Sequence, residues 1–334
     1  MSTTFRAVVV DRRGDENVPR FQTLEPDALP EDGDLTVAVT HTALNYSDAA
    51  TAFDHWGSID HVPHVPGIDF VGRVERSDHR DYAPGDRVLH TSYGVGYVRH
   101  GGWAERAVTK AEWAVPLGDT DLSDAELMGL GTVGLTAMLA VDELEARGMK
   151  PDQGPVLVTA AAGGVGTLAI LLLKRLGYEV VASCGEKDYE LVRTLGADEV
   201  ADRHDLDEET DAPMEDERWA GVIDAVGGNA LTRAVKQLKY GATAAACGLV
   251  GGTELGLQVV PFLMRNVGLV GINSVHTPRD KRLAAWRRLL ELIDREGLAK
   301  TMSVRPFDEV IDLARAKLDG EGPSGRIVLH VANP

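Results

Sequence analysis

The chain has 334 residues, and 34 basic side chains against 52 acidic ones leave a formal charge of −18. At roughly 100–200 residues per domain, that length predicts two domains with sizeable cores. A composition 44% hydrophobic and 26% charged excludes disordered and collagen-like chains. The acidic balance repels phosphate backbones and anionic lipid, which argues against nucleic acid or a membrane surface as a main partner.

The two cysteines, Cys184 and Cys247, exclude a disulfide framework and a zinc site built from several thiolates. They fit a reducing compartment, so a cytoplasmic location is expected. No export signal or membrane span is expected either. The start runs through Ala7-Val8-Val9-Val10 into charged residues and reads as a strand. The longest apolar stretch, 168–173, falls far short of the roughly 20 residues a membrane helix needs. Lysine supplies only 9 of the 34 basic residues. A surface rich in Asp and Glu and poor in Lys suits a salt-rich cytoplasm, and a base-composition bias towards arginine gives the same pattern.

In chain order, Leu35-Thr-Val-Ala-Val-Thr40 alternates and Ile68-Asp-Phe-Val-Gly-Arg-Val74 forms a second such run. Both are bounded by Gly, Pro and Asp, as a mostly antiparallel sheet requires. Pro84-Gly85-Asp86 is a turn into Arg87-Val-Leu89. From about Leu127 the pattern becomes helical, until Pro151-Asp-Gln-Gly154 interrupts it. Strands are then predicted at 155–159, 179–183, 221–226, 241–246 and 268–272, with helices at 165–176, 189–195 and 230–238. Short apolar strands alternating with helices predict a parallel, doubly wound sheet. Residues 282–295 carry Leu283, Trp286, Leu289, Leu290 and Ile293 at helical spacing, a packing face that leaves the arginines in solvent. Arg326-Ile-Val-Leu-His330 reads as a closing strand that rejoins the first sheet. The acidic run 205–217 reads as a solvated loop, since it lacks the glycine of the common acidic calcium loop.

The strongest local motif is Ala161-Ala-Gly163-Gly164-Val-Gly166, between a strand and a helix. Gly163 lets the backbone approach a pyrophosphate, Gly166 lets the helix pack close to the strand, and the helix N-terminus offers free N–H groups. Ala161 stands where the first glycine of the common fingerprint belongs, so a plain helix-start turn is the alternative. The next strand ends in Ser183-Cys184-Gly185, small and uncharged where an NAD enzyme presents Asp or Glu to the ribose. Lys187, Arg193 and Arg203 offer positive charge to a 2′-phosphate and favour NADPH, while Glu186 counts against it.

Earlier, Tyr46 in Leu44-Asn45-Tyr46-Ser47-Asp48 is a candidate nicotinamide contact and proton donor. A tyrosine satisfied at a domain boundary is the bland alternative. Gly131-Thr132-Val-Gly134 opens a helix with small residues, for which cofactor approach and close helix packing are both explanations. His55, His61 and His64 share one loop without matching thiolate or carboxylate spacing, so they read as surface or packing histidines and no metal is expected. Without a metal as Lewis acid, oxidation of simple alcohols loses its usual activation. A C=C conjugated to a carbonyl is already electrophilic, so the chemistry points to ene-reduction. No G-x-S-x-G elbow is present to support a hydrolase.

Seven ordered blocks carry a family likeness. They are Leu44-Asn-Tyr-Ser-Asp-Ala49, Val65-Pro-Gly-Ile-Asp-Phe70, Gly131-Thr-Val-Gly-Leu-Thr-Ala-Met138 and Val158-Thr-Ala-Ala-Ala-Gly-Gly-Val-Gly166, then Trp219-Ala-Gly-Val-Ile-Asp224, Ala245-Ala-Cys-Gly-Leu249 and Pro261-Phe-Leu-Met-Arg-Asn-Val267. Almost end to end, the chain resembles the zinc-free medium-chain dehydrogenase/reductases. Within them it is most similar to the NADPH-dependent acryloyl-CoA reductase branch, often labelled quinone oxidoreductase.

The resemblance implies an α/β architecture. A GroES-like, mostly antiparallel β domain at 1–126 and 276–334 handles substrate, and a Rossmann domain with a doubly wound parallel sheet spans 127–275. It implies NADPH contacts at Tyr46, Thr132, Ala162, Gly163, Gly164, Val165, Gly166, Ser183, Cys184, Gly185, Lys187, Arg203, Gly248, Val267, Ser274 and Arg326. It also implies homodimers paired through an edge strand, here 268–272. One position departs: the branch commonly carries Ser-Gly-Arg after the second strand, where this chain has Cys184-Gly185-Glu186. The expected reaction is NADPH-dependent reduction of a short enoyl-CoA, acryloyl-CoA to propionyl-CoA. Tyr46 or a bound water is the expected proton donor, and Arg279, Lys281 and Arg282 are either candidates for the CoA phosphates or simply a solvated N-terminal helix face. Reduction of quinones or other α,β-unsaturated carbonyls is the alternative activity, and non-catalytic NADPH binding the alternative class.

Overall fold

Alternating apolar residues before residue 120 and continuous apolar runs after residue 155 fold into two different kinds of sheet. The computed structural model describes residues 4–14, 16–30, 32–53, 59, 61–117, 119–208 and 210–332. They divide into two compact units, one comprising the chain up to Thr132 and from Met302 onward, the other Val133–Thr301.

The first unit opens with β1 (Phe5–Arg13) and β2 (Glu16–Leu24), a separate antiparallel hairpin. β3 (Leu35–Leu44) leads into the short helix α1 (Tyr46–Phe53), and β4 (Asp69–Ser77), β5 (Arg87–Thr91) and β6 (Arg106–Thr109) follow. Along β3, every second residue of Leu35, Val37 and Val39 enters a core shared with Phe70, Val74 and Val88. A slip of one residue would turn that set to the opposite face, so the register is fixed. Helix α2 (Asp124–Ala146) is broken at Gly131, where φ is 43° and ψ −150°, a conformation essentially reserved for glycine. By length and composition α2 is able to cross a membrane, yet 78% of its apolar window is buried within the fold, as in a core helix.

The second unit continues with β7 (Val156–Val158), α3 (Gly164–Arg175), β8 (Val180–Cys184), α4 (Tyr189–Thr194), β9 (Glu199–Asp202) and β10 (Trp219–Asp224). Then come α5 (Gly228–Lys236), β11 (Leu238–Ala246), α6 (Val260–Arg265), β12 (Gly268–Gly271), α7 (Arg279–Leu292) and α8 (Arg295–Thr301). All the strands are parallel, in the order β12-β11-β10-β7-β8-β9. The chain therefore leaves β7 first to one side and later to the other, which puts the topological switch point between β7 and β10. Sheets of this kind bind ligands beyond the carboxyl ends of those two strands.

The chain ends in the first unit with β13 (Met302–Pro306), α9 (Val310–Leu318) and β14 (Arg326–His330). β14 pairs with β3, giving the order β13-β14-β3-β4-β5 with β6 also on β3. Both expected kinds of sheet are thus present, GroES-like and Rossmann. The expected boundaries shift: the division falls after Thr132, next to the break at Gly131, rather than at 126/127. At the other end it falls at 301/302 rather than 275/276, because α7 and α8 pack on α3. The arginines of 282–295 do not all stand in solvent either, since Arg282 is 1% exposed on the buried face of α7.

Candidate active site

The turn after β7 is shaped for a phosphate-bearing ligand. Ala160 takes a left-handed φ of 45°, and Gly163 N–H donates back to Ala160 O (2.8 Å). The first bond inside α3 runs from Thr167 N–H to Gly163 O (3.0 Å). The N–H groups of Gly164, Val165 and Gly166 precede that bond, have no acceptor within the helix and stand at its positive dipole end. Gly166 is the tightest point: a Cβ there would lie 2.5 Å from Ala160 O and 2.6 Å from Ala161 Cα. Only glycine lets α3 come this close to the strand, so the residues fit a dinucleotide.

Across the switch point, Thr159 Oγ1 donates to Asp224 Oδ1 (2.6 Å) and Gly227 N–H to Asp224 Oδ2 (2.8 Å). Cys247 N–H donates to Asp224 O (2.7 Å). One fully buried residue thus ties together the loops after β7, β10 and β11, and burial raises its pKa. Gly248 sits in the third loop, where a Cβ would strike Ala225 O at 2.3 Å.

At the end of β8, Ser183 and Cys184 are buried, and Arg203 Nε passes 4.0 Å from where a Cβ of Gly185 would stand. Arg203, Lys187 and Glu186 are all exposed here. Asp202, which ends β9, accepts from His204 N–H (2.9 Å) and Tyr189 OH (2.9 Å), and these bonds hold its carboxyl below the ordinary range. The exposed acid at this point is therefore Glu186, against the two cations. Burial pushes the Cys184 thiol up to about 11 and that of Cys247 up to about 12, so neither is a thiolate at neutral pH.

The other unit carries a buried polar cluster at the start of α1. Asp48 Oδ2 accepts from Asn45 N–H and Nδ2 (both 2.8 Å), and its Oδ1 from Ile68 N–H (2.9 Å). Asn45 Nδ2 also reaches Asp69 Oδ2 (3.0 Å). Thr132 donates to Asp69 Oδ1 through Oγ1 (2.6 Å) and N–H (3.1 Å). Arg326 completes the cluster with bonds to Asp69 Oδ2, Asn45 Oδ1 and Met128 O. Asp48, Asp69 and Arg326 are each 1% exposed or less. Burial raises the Asp48 carboxyl to about 6, against the pull of Asn45 N–H. Half-buried Lys317 on α9 is lowered to about 8, by burial first and then by Arg326. Gly131 covers the ion pair, for a Cβ there would lie 2.4 Å from Arg326 Nη2. Beside it, Ser92 Oγ lies 3.0 Å from Thr132 Oγ1, and Ser92 and Tyr93 both hold left-handed φ values, 67° and 53°. Strain of this kind persists only where the surroundings over-determine it. Half-buried Tyr46 is the first residue of α1, whose start is capped by the Asn45–Asp48 bonds.

The structure brings Ala162, Gly163, Gly164, Val165 and Gly166 together at the α3 turn, and Ser183, Cys184, Gly185, Lys187 and Arg203 at the end of β8. Gly248 and Ser274 follow β11 and β12 at the same carboxyl edge. Val267 does not join them: it precedes β12, at the opposite end of the strand, and packs in the core. Tyr46, Thr132 and Arg326 belong to the first unit. Arg326, expected to touch the cofactor, instead directs its guanidinium at protein acceptors, because a cation this deeply buried requires them. Of the three cations named for CoA, Arg282 turns inward, while Arg279 and Lys281 are exposed, the latter in a surface pair with Glu143 (3.2 Å). His55 lies outside the described residues, His61 is exposed and His64 is buried. Among the described residues, no three of His, Cys, Asp or Glu are grouped to hold a metal. Sequence reasoning missed Asp69 and Asp224. Asp224 is the single acid of β10 and Asp69 opens β4 directly before Phe70 and Val71; a buried acid needs partners, which is the signal that finds them.

Comparison with known proteins matches both units. The family model for the alcohol dehydrogenase GroES-like domain covers residues 31–119, and that for zinc-binding dehydrogenase covers 164–295. The acrylyl-CoA reductase AcuI of Ruegeria pomeroyi is 42% identical over 332 residues, which span 98% of this chain and 99% of the relative. The structure of Escherichia coli K-12 YhdH with bound NADPH matches with a TM-score of 0.94 at 38% identity, over 98% of this chain and 100% of that one. Bacillus subtilis YhfP with NAD bound matches at 0.93 and 35% identity, over 99% and 100%. The chain belongs to the medium-chain dehydrogenase/reductases, in the branch that holds the acrylyl-CoA reductases and related quinone oxidoreductases.

Proposed function

We propose that this protein is a zinc-independent, NADPH-dependent enoyl-CoA reductase that converts acryloyl-CoA to propionyl-CoA. The α3 turn carries the cofactor half of this proposal: it is closed to any side chain at Gly166, and Arg203 and Lys187 stand at the end of the next strand. The substrate half is supported by the end-to-end likeness to the Ruegeria acrylyl-CoA reductase.

When bound, the cofactor supplies a hydride to the β-carbon of the conjugated C=C. The N–H groups of Gly164, Val165 and Gly166 would receive the pyrophosphate. Arg203 and Lys187 would hold the 2′-phosphate, and Glu186 would weaken that grip. Tyr46 then gives the matching proton to the α-carbon, with water as the competing donor. A phenol serves as a general acid only where its geometry is fixed, and the Asn45–Asp48 cap fixes the first turn of α1. Tyr46→Phe is expected to lower kcat by about 10²-fold with the fold intact. An unchanged kcat assigns the proton to water.

The active form proposed is a homodimer. Among the described residues β12 is an edge strand with β11 as its one neighbour in the sheet, and Leu263 and Met264 on the adjacent α6 are 74% and 65% exposed. An open strand edge beside exposed apolar side chains favours association.

A further inference from the structure

We infer that Arg282 is a positioning residue for the nicotinamide half of the cofactor, acting through the turn at 273–277; this rests on the dinucleotide reading above. Arg282 occupies the buried stripe of α7 with Ala285, Trp286 and Leu289. An apolar side chain there would pack without a desolvation cost, so the guanidinium has to be explained by what it holds. It donates to two consecutive carbonyls of the turn, Ser274 O and Val275 O (3.2 Å to the latter).

The turn is closed from its other side by Asn273, whose Oδ1 accepts from Val275 N–H (2.9 Å) and His276 N–H (3.0 Å). Thr277 Oγ1 donates to Asn273 O, and Ile272 N–H ties the start of the turn to Ala246 O on β11 (2.8 Å). The turn follows β12, in the half of the sheet made by β10, β11 and β12. That half takes the second mononucleotide of a dinucleotide whose pyrophosphate lies at the first turn. Arg282 thus draws two carbonyls inward and sets the turn that carries Ser274, 9% exposed, from behind. The pyrophosphate and 2′-phosphate contacts lie on other loops and do not depend on it.

The test uses the full chain with Arg282→Lys, which keeps the charge but is shorter, so its ammonium withdraws from the two carbonyls that the single Nη2 of Arg282 reaches. Asn273→Ala opens the same turn without touching the core. NADPH affinity is read by fluorescence titration, and kcat at saturating NADPH with the best acceptor. The expected result for both variants is a kcat lower by about ten- to a hundredfold, with NADPH affinity and melting temperature near wild type. A purely structural role would move melting temperature and affinity together and overturns the inference, as does wild-type kcat in both variants. If Arg282→Lys fails to fold, Asn273→Ala decides alone. A wild type that binds no NADPH overturns the dinucleotide reading itself, and this inference with it.

Discussion

Asp69 and Arg326 stand 257 residues apart in the chain and form one buried ion pair. Removing one partner strands the other without solvent, so Asp69→Asn is expected to cost about 3–5 kcal/mol in urea unfolding; a loss below about 1 kcal/mol contradicts the pairing. The pair was illegible in sequence, because each residue merely opens a strand that carries other polar side chains and nothing local names its partner. The glycines at 163, 164 and 166 were legible, since a glycine before a helix has few purposes and Gly166 permits no side chain. Glu186 was legible too, as a departure from the family pattern. It is exposed beside Lys187 and Arg203. Glu186→Arg is expected to lower the KM for NADPH about three- to tenfold and leave that for NADH unimproved. An unchanged NADPH constant removes this side chain from cofactor choice.

At the level of elements, five of the six strands of the parallel sheet and helices α3, α4 and α5 were readable from apolar runs and glycine turns, whereas β9, with no buried residue, was missed. β2 was not readable either, because Pro19 and scattered polar residues disguise it. The hairpin tolerates Pro19 because it stands opposite Val10, whose N–H and C=O bond instead to His64 (2.7 and 3.0 Å). The arginine on the buried face of α7 was equally hidden, since helical periodicity reports apolar residues and takes charged ones to be in solvent. Helix α1 carries a pH prediction. Burial raises Asp48 from the ordinary 3.8 to about 6. Between those values the folded state holds a proton that the unfolded state has released, so this residue's contribution to stability is full below 3.8 and is lost as pH rises through 6. Asp48→Asn should remove that slope from unfolding free energies measured between pH 4 and 6. A slope identical in both proteins contradicts the assignment.

The whole molecule comprises a GroES-like unit with a buried acid–arginine cluster and a Rossmann unit with a glycine turn after β7. Both units were legible through their different periodicities, and the later boundary was not, because helical spacing in α7 and α8 does not report that they pack on α3. The proposed dimer is a property of this scale. Leu263→Glu should shift the protein from dimer to monomer in sedimentation velocity, since it places a charge beside the open β12 edge. A wild type that sediments as a monomer contradicts the dimer. The central claim is tested most directly by following NADPH consumption by the purified enzyme with acryloyl-CoA, in the presence of a zinc chelator, beside NADH and beside a simple quinone. The account predicts fast, NADPH-selective turnover of the thioester that the chelator leaves intact. Turnover of the quinone with a silent thioester, or loss of activity to the chelator, contradicts it.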